Sequence, residues 1–317
     1  MLLRKLRKSC IKVMTWNIYF GADLSPLIGT TPEQIPEVMS EVFDQVQQTD
    51  FFSRAKSIAI QIYKTRPDLI GLHEVALWTV QSMQANSAIN FLRILLWDLK
   101  KLGLEYNVIA VNKNFRDQLP SSTGEVIGLL DRDVILAKSD TRMKFTHIQE
   151  RNFSINLVVP IGGQPFTVLR GWSSVDVSID KEMFRLVNTH LEGDSTEVRL
   201  AQANELLKNA CATNLPLILM GDFNTDADGN DNPTYELFID SGFIDAWNIV
   251  GKCSGFTAFQ ARDLLNAIST LSERIDFIFI RNDFKVLNIA TVGNLQKDRT
   301  SIGLWPSDHA GIIATLK

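Results

Sequence analysis

The sequence is poor in cysteine and histidine, which argues against two common ways of stabilising a small fold. The three cysteines form an odd, sparse set, and this predicts reduced thiols rather than a disulfide framework. The four histidines include no cluster at the spacing of zinc ligands. These residues are Cys10, Cys211, Cys253, His73, His147, His190 and His309.

Long apolar runs are also missing. No stretch approaches the roughly 18 apolar residues that a membrane-spanning helix needs. The basic start MLLRKLRKSC precedes neither an apolar segment of signal-peptide length nor a small-residue cleavage site. We therefore expect a soluble, cytoplasmic protein whose residues 1–10 form a basic N-terminal extension, either solvated or in weak contact with an anionic surface.

The chain has no excess of positive charge. Its formal net charge is −4, and its Lys and Arg residues are dispersed apart from the RKLRK segment near the N-terminus. A polyanion would therefore need a local basic patch, because no global positive field attracts it. A nuclease that grips several phosphates normally clusters these residues. The dispersion favours a substrate held through one phosphate, without excluding a nuclease.

Short apolar, β-branched runs bounded by turn residues recur along the chain and predict strands. SSVDVSI alternates polar and apolar residues, which predicts a half-exposed strand. PLILMG is continuously apolar, which predicts a strand covered on both faces. The predicted strands lie at 11–18, 68–75, 106–111, 126–138, 165–172, 173–179, 183–191, 216–223, 274–280 and 311–316.

Apolar residues at helical spacing predict helices at 53–65, 82–102 and 195–210, the last opened by a capping box of Asp194 and Glu197. Residues 21–52 are rich in Pro, Gly and polar residues and predict an insertion after the first strand. The run 112–122 predicts a solvated connection, with a substrate loop as the alternative. Neither a linker nor an internal repeat divides the chain, so we expect one catalytic domain over 11–317.

Polar residues of the kinds used in catalysis recur at the ends of the apolar runs. One such residue is usually a cap or a turn, but several strand ends that meet at one rim would bring these side chains together. Buried charged groups are rare unless they are paired or bind a metal. The residues are Asn17, Glu74, His190, Asp222, Asn224, Asp276, Asp308 and His309.

The strings TWNI, PDLIGLHE, NTHLE, GDFN, RIDFIF and SDHAG, in this order, resemble the endonuclease/exonuclease/phosphatase superfamily, which includes deoxyribonuclease I, neutral sphingomyelinases and inositol polyphosphate 5-phosphatases. The resemblance extends from residue 11 to about 316. It implies an α/β fold, a four-layer α/β/β/α sandwich of two mixed sheets packed face to face with helices outside. It also implies cleavage of a phosphate ester that depends on Mg²⁺, with Mn²⁺ as a substitute.

The resemblance implies a metal site made of oxygen ligands. Mg²⁺ prefers such ligands and keeps several waters, so one or two carboxylates are sufficient. Glu74 is expected to be the principal ligand, and Asn17 and Asp308 are expected to assist it.

The resemblance also assigns roles around the phosphate. Asp222 is expected to orient and deprotonate the attacking water, while Asn224 and His190 hold the phosphate. His309 is expected to be a cationic donor whose other ring nitrogen pairs with Asp276, because a neighbouring carboxylate favours the charged imidazole.

Four further polar residues have more than one interpretation. Arg170 either binds a substrate phosphate or forms an ion pair within the protein. His73 precedes Glu74 and is expected in the core or behind the site, Glu192 is expected to be structural, and His147 is expected on the surface. Trp16, Trp172 and Trp305 are expected in the core or at a rim, with base stacking left open.

The substrate stays open because a fold does not fix it. NTHLEG departs from the Tyr-x-Pro-Asn-Gly string of the exonuclease III branch, which weighs against an abasic-site endonuclease. Residues 14–27 and the ending DRTSIGLWPSDHAG resemble a bacterial group of the superfamily from which we carry over no substrate.

We expect hydrolysis of a phosphodiester in nucleic acid or a related molecule. The alternatives are a phospholipid or sphingomyelin phosphodiesterase and an inositol-polyphosphate phosphatase. A membrane lipid ranks below nucleic acid, because the insertion at 21–52 is expected to pack internally rather than to face lipid. A binding protein without catalysis ranks last, because all eight expected positions are filled. No protein partner is inferred, and a monomer is expected.

Overall fold

The computed structural model of this protein describes residues 10–140, 142–180, 182–228 and 233–317. The basic segment RKLRK of the expected N-terminal extension lies outside these ranges. Within them the strands are β1 (Ile11–Asn17), β2 (Leu69–His73), β3 (Leu77–Gln81), β4 (Asn86–Asn90), β5 (Tyr106–Pro120), β6 (Val126–Lys138), β7 (Lys144–Asn152) and β8 (Leu157–Ile161). They continue with β9 (Gln164–Val168), β10 (Gly171–Ile179), β11 (Glu182–His190), β12 (Leu217–Asp222), β13 (Ile244–Asp245), β14 (Asp276–Arg281), β15 (Val286–Val292) and β16 (Gly311–Leu316).

The helices lie between these strands. They are α1 (Ile35–Gln48), α2 (Phe51–Thr65), α3 (Phe91–Lys101), α4 (Thr196–Lys208), α5 (Pro233–Asp240) and α6 (Ala246–Val250). None of the described helices is both long and apolar enough to cross a membrane.

The strands form two large mixed sheets and one separate hairpin. The first sheet has the order β15-β16-β1-β2-β6-β3-β4, with β5 also paired to β6, and the second has the order β13-β14-β12-β11-β10-β7. β8 and β9 pair only with each other. The β1–β2 and β11–β12 pairs are parallel, while the other pairs are antiparallel. Each sheet therefore contains one parallel pair whose strands end at the same edge.

Three apolar layers result from the two-residue alternation of strand side chains. One face of each sheet packs against the other sheet, with Val13 and Leu69 meeting Ile218 and Ile278. The outer face of the larger sheet is covered by helices that include α2 and α3, and that of the smaller sheet by α4 and α5. The four-layer α/β/β/α sandwich implied by the sequence is confirmed.

The helix expected at 82–102 is wrong in its first half. Residues 86–90 form β4 and pair with β3. The side chain of Asn90 then accepts a hydrogen bond from the Arg93 backbone N–H, at 3.3 Å, and starts α3. Asn is a preferred N-cap because its side chain satisfies a free donor of the first turn. The apolar spacing continued through this boundary and hid it.

The exposure expected for SSVDVSI is also wrong, because β10 is buried on both faces over most of its length. Asp176 lies on its outer face but forms an ion pair with Arg185 of β11, at 2.7 Å. A buried carboxylate is tolerated when it is paired in this way. The alternation of the sequence therefore indicated the strand correctly but gave the wrong exposure.

Three other boundaries differ from expectation, whereas the insertion at 21–52 packs internally as expected. The run expected as one strand at 165–172 divides into β9 and the start of β10, and the expected solvated connection at 112–122 is largely the second half of β5. The N-cap of α4 is Ser195 rather than the expected box of Asp194 and Glu197. The insertion at 21–52 contains α1, whose apolar face packs into the core.

Gly71 allows the two sheets to approach near the polar end of their interface. A β-carbon at this position would lie 2.0 Å from Oδ1 of Asn188 on the facing sheet. We expect Gly71→Ala to lower the free energy of unfolding by about 1–3 kcal/mol, the usual cost of overpacking. Denaturant unfolding of the four proteins of a double-mutant cycle with Asn188→Ala tests this. An unchanged cost of Gly71→Ala in the Asn188→Ala background would contradict the assigned contact.

Candidate active site

Three of the predicted residues occupy one rung of the smaller sheet. His190, Asp222 and Asp276 lie opposite one another on β11, β12 and β14. Residues paired in this way point to the same face of a sheet. Here it is the inner face, because the residues two positions along each strand from Asp222 and Asp276 belong to the inter-sheet core. All three side chains therefore meet the larger sheet.

Asn17 connects this rung to the larger sheet. Its Nδ2 donates to Oδ2 of Asp222 at 3.0 Å and to Oε1 of Glu74 at 2.9 Å. The other oxygen of Glu74 accepts a hydrogen bond from the Phe20 backbone N–H, at 2.8 Å. Glu74 itself has a left-handed backbone, with φ 56°, directly after β2. The side chains of Asn17, Glu74 and Asp222 therefore meet at one rim, as we expected from their places at strand ends.

Asp308 joins this group from the segment before β16. The hydroxyl of Ser307 donates to the Asn17 carbonyl at 2.7 Å, and it lies 3.2 Å from Oδ1 of Asp308. The same hydroxyl accepts from the His309 backbone N–H. Ser307 therefore fixes the end of β1 relative to the Asp308–His309 pair.

His309 and Asp276 form the pair that the sequence predicts. Nδ1 of His309 lies 2.8 Å from Oδ2 of Asp276 and 3.8 Å from Oδ2 of Asp222. Burial disfavours the charged imidazole, but Asp276, Asp308 and Asp222 together raise the pKa of His309 well above its ordinary value. In the charged ring both nitrogens carry a proton, so Nε2–H is a second hydrogen-bond donor.

His190 has the opposite electrostatic character. Its Nδ1 lies 3.0 Å from a guanidinium nitrogen of Arg170, and since arginine can only donate, this ring nitrogen accepts. Burial and the nearby positive charge of Arg170 lower the pKa of His190 well below its ordinary value. The neutral ring therefore carries its proton on Nε2, which lies 3.6 Å from Asp222.

Asn224 is placed by the turn that follows β12. Its backbone is left-handed, with φ 50°, and its N–H donates to Oδ1 of Asp222 at 3.0 Å. The side-chain amide donates to the Leu191 carbonyl at 2.8 Å. Asn224 therefore lies directly beside Asp222.

The carboxylates at this rim repel one another. Burial and Asp308 raise the pKa of Glu74 to about 8, while burial and Asp276 raise that of Asp222. Burial also raises the pKa of Asp308. A divalent cation held by Glu74, Asn17 and Asp308 would neutralise this excess of negative charge. The oxygen-rich donor set thus fits the metal that the sequence predicts.

Asp222, Asp276 and His309 also offer ligand atoms within 4.8 Å of one another. However, Nδ1 of His309 is hydrogen-bonded to Asp276, and the raised pKa of His309 keeps its ring protonated. A metal-binding imidazole must be neutral. This trio is therefore better suited to handling a proton than to binding a metal.

Sequence reasoning missed a buried acidic pair behind His190. Asp131 and Asp133 project from β6 toward the smaller sheet, and both accept from the side-chain amide of Asn114 at 2.9 Å. Burial raises the pKa of both carboxyl groups, and Arg170 opposes the shift. The string DRD inside the apolar run VIGLLDRDVILAK was the available signal, because residues two apart share a strand face.

The other singled-out residues have clear places. His73 is buried, with Nε2 2.9 Å from Oδ1 of Asn188, and burial lowers its pKa to about 4. Glu192 is buried and accepts from the Asp194 backbone N–H, while the side chain of His147 is 70% exposed. Trp16, Trp172 and Trp305 are all buried.

A cavity of about 580 Å³ opens onto this cluster. Arg170 and His190 line it, together with Asp222, Asn224 and Asp308. It is therefore large enough to hold a small organic ligand, for which pockets of roughly 300–1,000 Å³ are usual.

Two packed mixed sheets with helices outside are the fold of the endonuclease/exonuclease/phosphatase sandwich proteins. The model of the endonuclease/exonuclease/phosphatase family matches residues 14–309, and the chain belongs to this family. Members of the family are phosphoesterases and nucleases that generally depend on a divalent metal. Among curated protein sequences, none matches the chain.

Solved structures share the fold at low sequence identity. A family member from Bacteroides thetaiotaomicron is 18% identical, with 97% of this chain and 95% of that chain covered and a TM-score of 0.61. A mannosyl-6-phosphatase of Bacteroides thetaiotaomicron is 19% identical over 97% and 99%, with a TM-score of 0.60. D. rerio TDP2 complexed with a single-stranded DNA product is 16% identical over 98% and 99%, with a TM-score of 0.55.

The Asp276–His309 pair makes a prediction about pH. Asp276→Asn removes an interaction that raises the pKa of His309, while the opposing burial remains, so the pKa should fall. The charged ring would then be lost at lower pH, and the alkaline limb of the pH–rate profile should move the same way. NMR titration of the His309 ring checks the shift directly, with the exposed Asp240→Asn as control. Identical His309 titration curves for the Asp276→Asn and wild-type proteins would refute the pairing.

Proposed function

We propose that this protein is a divalent-metal-dependent phosphoesterase that hydrolyses a phosphodiester by attack of water on phosphorus. The observation that carries the proposal is the meeting of Asn17, Glu74 and Asp222 at one rim, with His190 and His309 on either side of Asp222. The mannosyl-6-phosphatase and TDP2 share this fold, but we do not transfer their substrates to this protein.

Glu74 and Asp308 would hold Mg²⁺ or Mn²⁺, and Asn17 would assist through Oδ1, which accepts from the Tyr19 backbone N–H while Nδ2 faces Glu74. A metal bound there would polarise a phosphoryl oxygen and stabilise the negative charge that develops on it. Glu74 is the principal ligand in this proposal because its carboxylate is already oriented by two hydrogen bonds, from Asn17 and from the Phe20 backbone.

Asp222 acts as the general base. Its raised pKa makes it a stronger proton acceptor than an exposed aspartate, and the Asn17 amide and the Asn224 backbone hold it in one orientation. The proton of the attacking water passes to Asp222, the P–O bond to the leaving group breaks, and the leaving alkoxide takes up that proton to form the alcohol.

Three donors meet the phosphoryl oxygens in this arrangement. His309 donates as a cation from Nε2, His190 donates as a neutral ring from Nε2, and Asn224 offers its amide. Such donors stabilise charge that grows in the transition state. The loss of one typically lowers kcat by about 100- to 1,000-fold.

Metal dependence is tested with bis-p-nitrophenyl phosphate. Chelation should abolish turnover, and Mg²⁺ or Mn²⁺ should restore it, because the rim carboxylates need a counter-charge. Asp222→Asn is the control for contaminating activity. Full turnover in excess chelator would contradict the proposal, and absence of turnover with every divalent metal would favour a binding protein on this fold.

Metal ligands and phosphate donors should separate in a Mg²⁺ titration of kcat. Glu74→Gln should need more Mg²⁺ and be partly rescued by it, because the substitution weakens a ligand. His190→Ala and Asn224→Ala should stay slow at saturating Mg²⁺, by about 100-fold or more. Equal rescue of His190→Ala and Glu74→Gln would show that the division of roles is wrong.

A further inference from the structure

The cavity beside the catalytic rim changes character with distance from it. Near Glu74, Asp222 and Asn224 its wall is polar. The rest of its wall is dominated by aliphatic and aromatic side chains. They include Phe20, Trp78, Phe115, Leu129, Phe166 and Val168.

The separate β8–β9 hairpin contributes one of its two faces to this apolar wall. Val159, Ile161, Phe166 and Val168 line the cavity and are partly buried, whereas Val158, the residue directly before Val159, is 55% exposed. The two-residue alternation therefore turns one apolar face of the hairpin into the cavity. Covering such a face with an apolar ligand is favourable, at about 25 cal/mol per Å².

Two other segments complete the apolar wall. Leu24 and Leu27 come from the insertion after β1, and Leu119 comes from the far end of β5. These segments and the hairpin line one cavity with the catalytic residues, and their apolar side chains pack against the same core cluster. The cavity is therefore one space with a polar end at the catalytic rim and a largely apolar end, which also includes Asp23, Asp117 and Gln118.

Cations are scarce around this space. Among the described residues that line it, the only Lys or Arg side chains are Arg170 and Arg262. Arg262 is ion-paired with Asp23, and Arg170 donates to His190. A polynucleotide would need several cations for its phosphates. An alkyl chain needs no polar partner.

We infer that the substrate is a phosphate ester that carries a long alkyl chain, and that this chain occupies the apolar end of the cavity. The inference rests on the proposed function, which places the phosphate at His190, Asn224 and His309. In the reaction, the water oxygen bonds to phosphorus, one P–O bond breaks, and the proton of the water ends on the leaving alcohol.

A series of alkyl 4-nitrophenyl phosphodiesters tests the inference with Mg²⁺ present. Methyl, butyl, octyl and decyl esters are each assayed below the critical micelle concentration. We expect kcat/KM to rise with chain length, by up to roughly fourfold per methylene, until the chain fills the cavity. A flat series with good turnover of the methyl ester would overturn the inference and leave the proposed function standing.

If no ester is hydrolysed, a binding measurement distinguishes failure of the proposed function from failure of the alkyl-chain site. Calorimetry with Asp222→Asn compares decylphosphonate with methylphosphonate in the presence of Mg²⁺. Tighter binding of the decyl compound supports the alkyl-chain site even if the proposed function fails. Equal affinities overturn the site.

Two neighbouring valines provide a matched pair of variants. Val159→Asp places a charge in the apolar wall and should lower the ratio of kcat/KM for the decyl and methyl esters by about tenfold or more, because an unpaired charge is costly beside an alkyl chain. Val158→Asp, on the outer face of β8, should leave the ratio unchanged. The ratio is measured within one protein, so partial unfolding cancels. Phe166→Ser replaces Val159→Asp if that variant does not fold, and equal effects of Val158→Asp and the cavity variant would overturn the inference.

The class of phosphate ester that the protein cleaves is tested by comparing two alkyl phosphates with an oligonucleotide. Decyl phosphate represents a monoester and decylphosphocholine represents a lipid headgroup diester. Release of inorganic phosphate from the first or of phosphocholine from the second identifies the bond that is cleaved. A higher kcat/KM for an oligothymidylate than for both lipids would overturn the inference in favour of a nuclease.

Discussion

The hydrogen bond from Asn17 to Asp222 joins the two sheets at the catalytic end, and the geometry of the site depends on it. Asn17 is the last residue of β1 in one sheet, and Asp222 is the last residue of β12 in the other. The inner faces of β1, β2, β12 and β14 are apolar along most of their length and become polar at their catalytic ends. The apolar part holds the sheets together, and this hydrogen bond fixes the relative positions of their polar ends.

This arrangement has a physical cost. Asn188 and His73 lie behind the site between the sheets, and the amide nitrogen of Asn188 and Nδ1 of His73 are buried without a hydrogen-bond partner. Unsatisfied buried groups cost about 1–3 kcal/mol each. The apolar end of the interface offsets this cost, since buried apolar area is the main favourable term in folding. The apolar part of the interface thus compensates for the unsatisfied polar groups at its catalytic end.

Arg54 holds the segments that carry the proposed metal ligands. It is buried on α2 and donates to the carbonyls of Ile18, Tyr19, Thr49 and Pro306. Two of these follow Asn17 and one precedes Asp308, so a single side chain fixes both approaches to the metal site. Burial lowers the pKa of Arg54 to about 10, which still leaves it charged at neutral pH. Its charge also opposes the mutual repulsion of Glu74 and Asp308.

Much of this could be predicted from the sequence because strand ends carry local signals. Asp222 and Asp276 border runs whose alternation and length define strands, and the family resemblance supplied their roles. The buried ion pair of Asp176 and Arg185 and the acidic pair Asp131 and Asp133 could not be placed in the same way. Their burial depends on partners distant in the chain, and alternation reports only which face a residue occupies.

The same limit explains why the sequence leaves the substrate open. Catalytic residues lie at the ends of core strands, which the fold requires, whereas the cavity wall comes from the insertion at 21–52, the far half of β5 and the β8–β9 hairpin. The local sequence of these segments does not reveal a binding wall, because Leu24, Leu119 and Phe166 could equally belong to a core. Only their convergence beside Asp222 makes them a binding wall. In the proposed function, the sheets therefore set the chemistry, and segments added outside them set the choice of substrate.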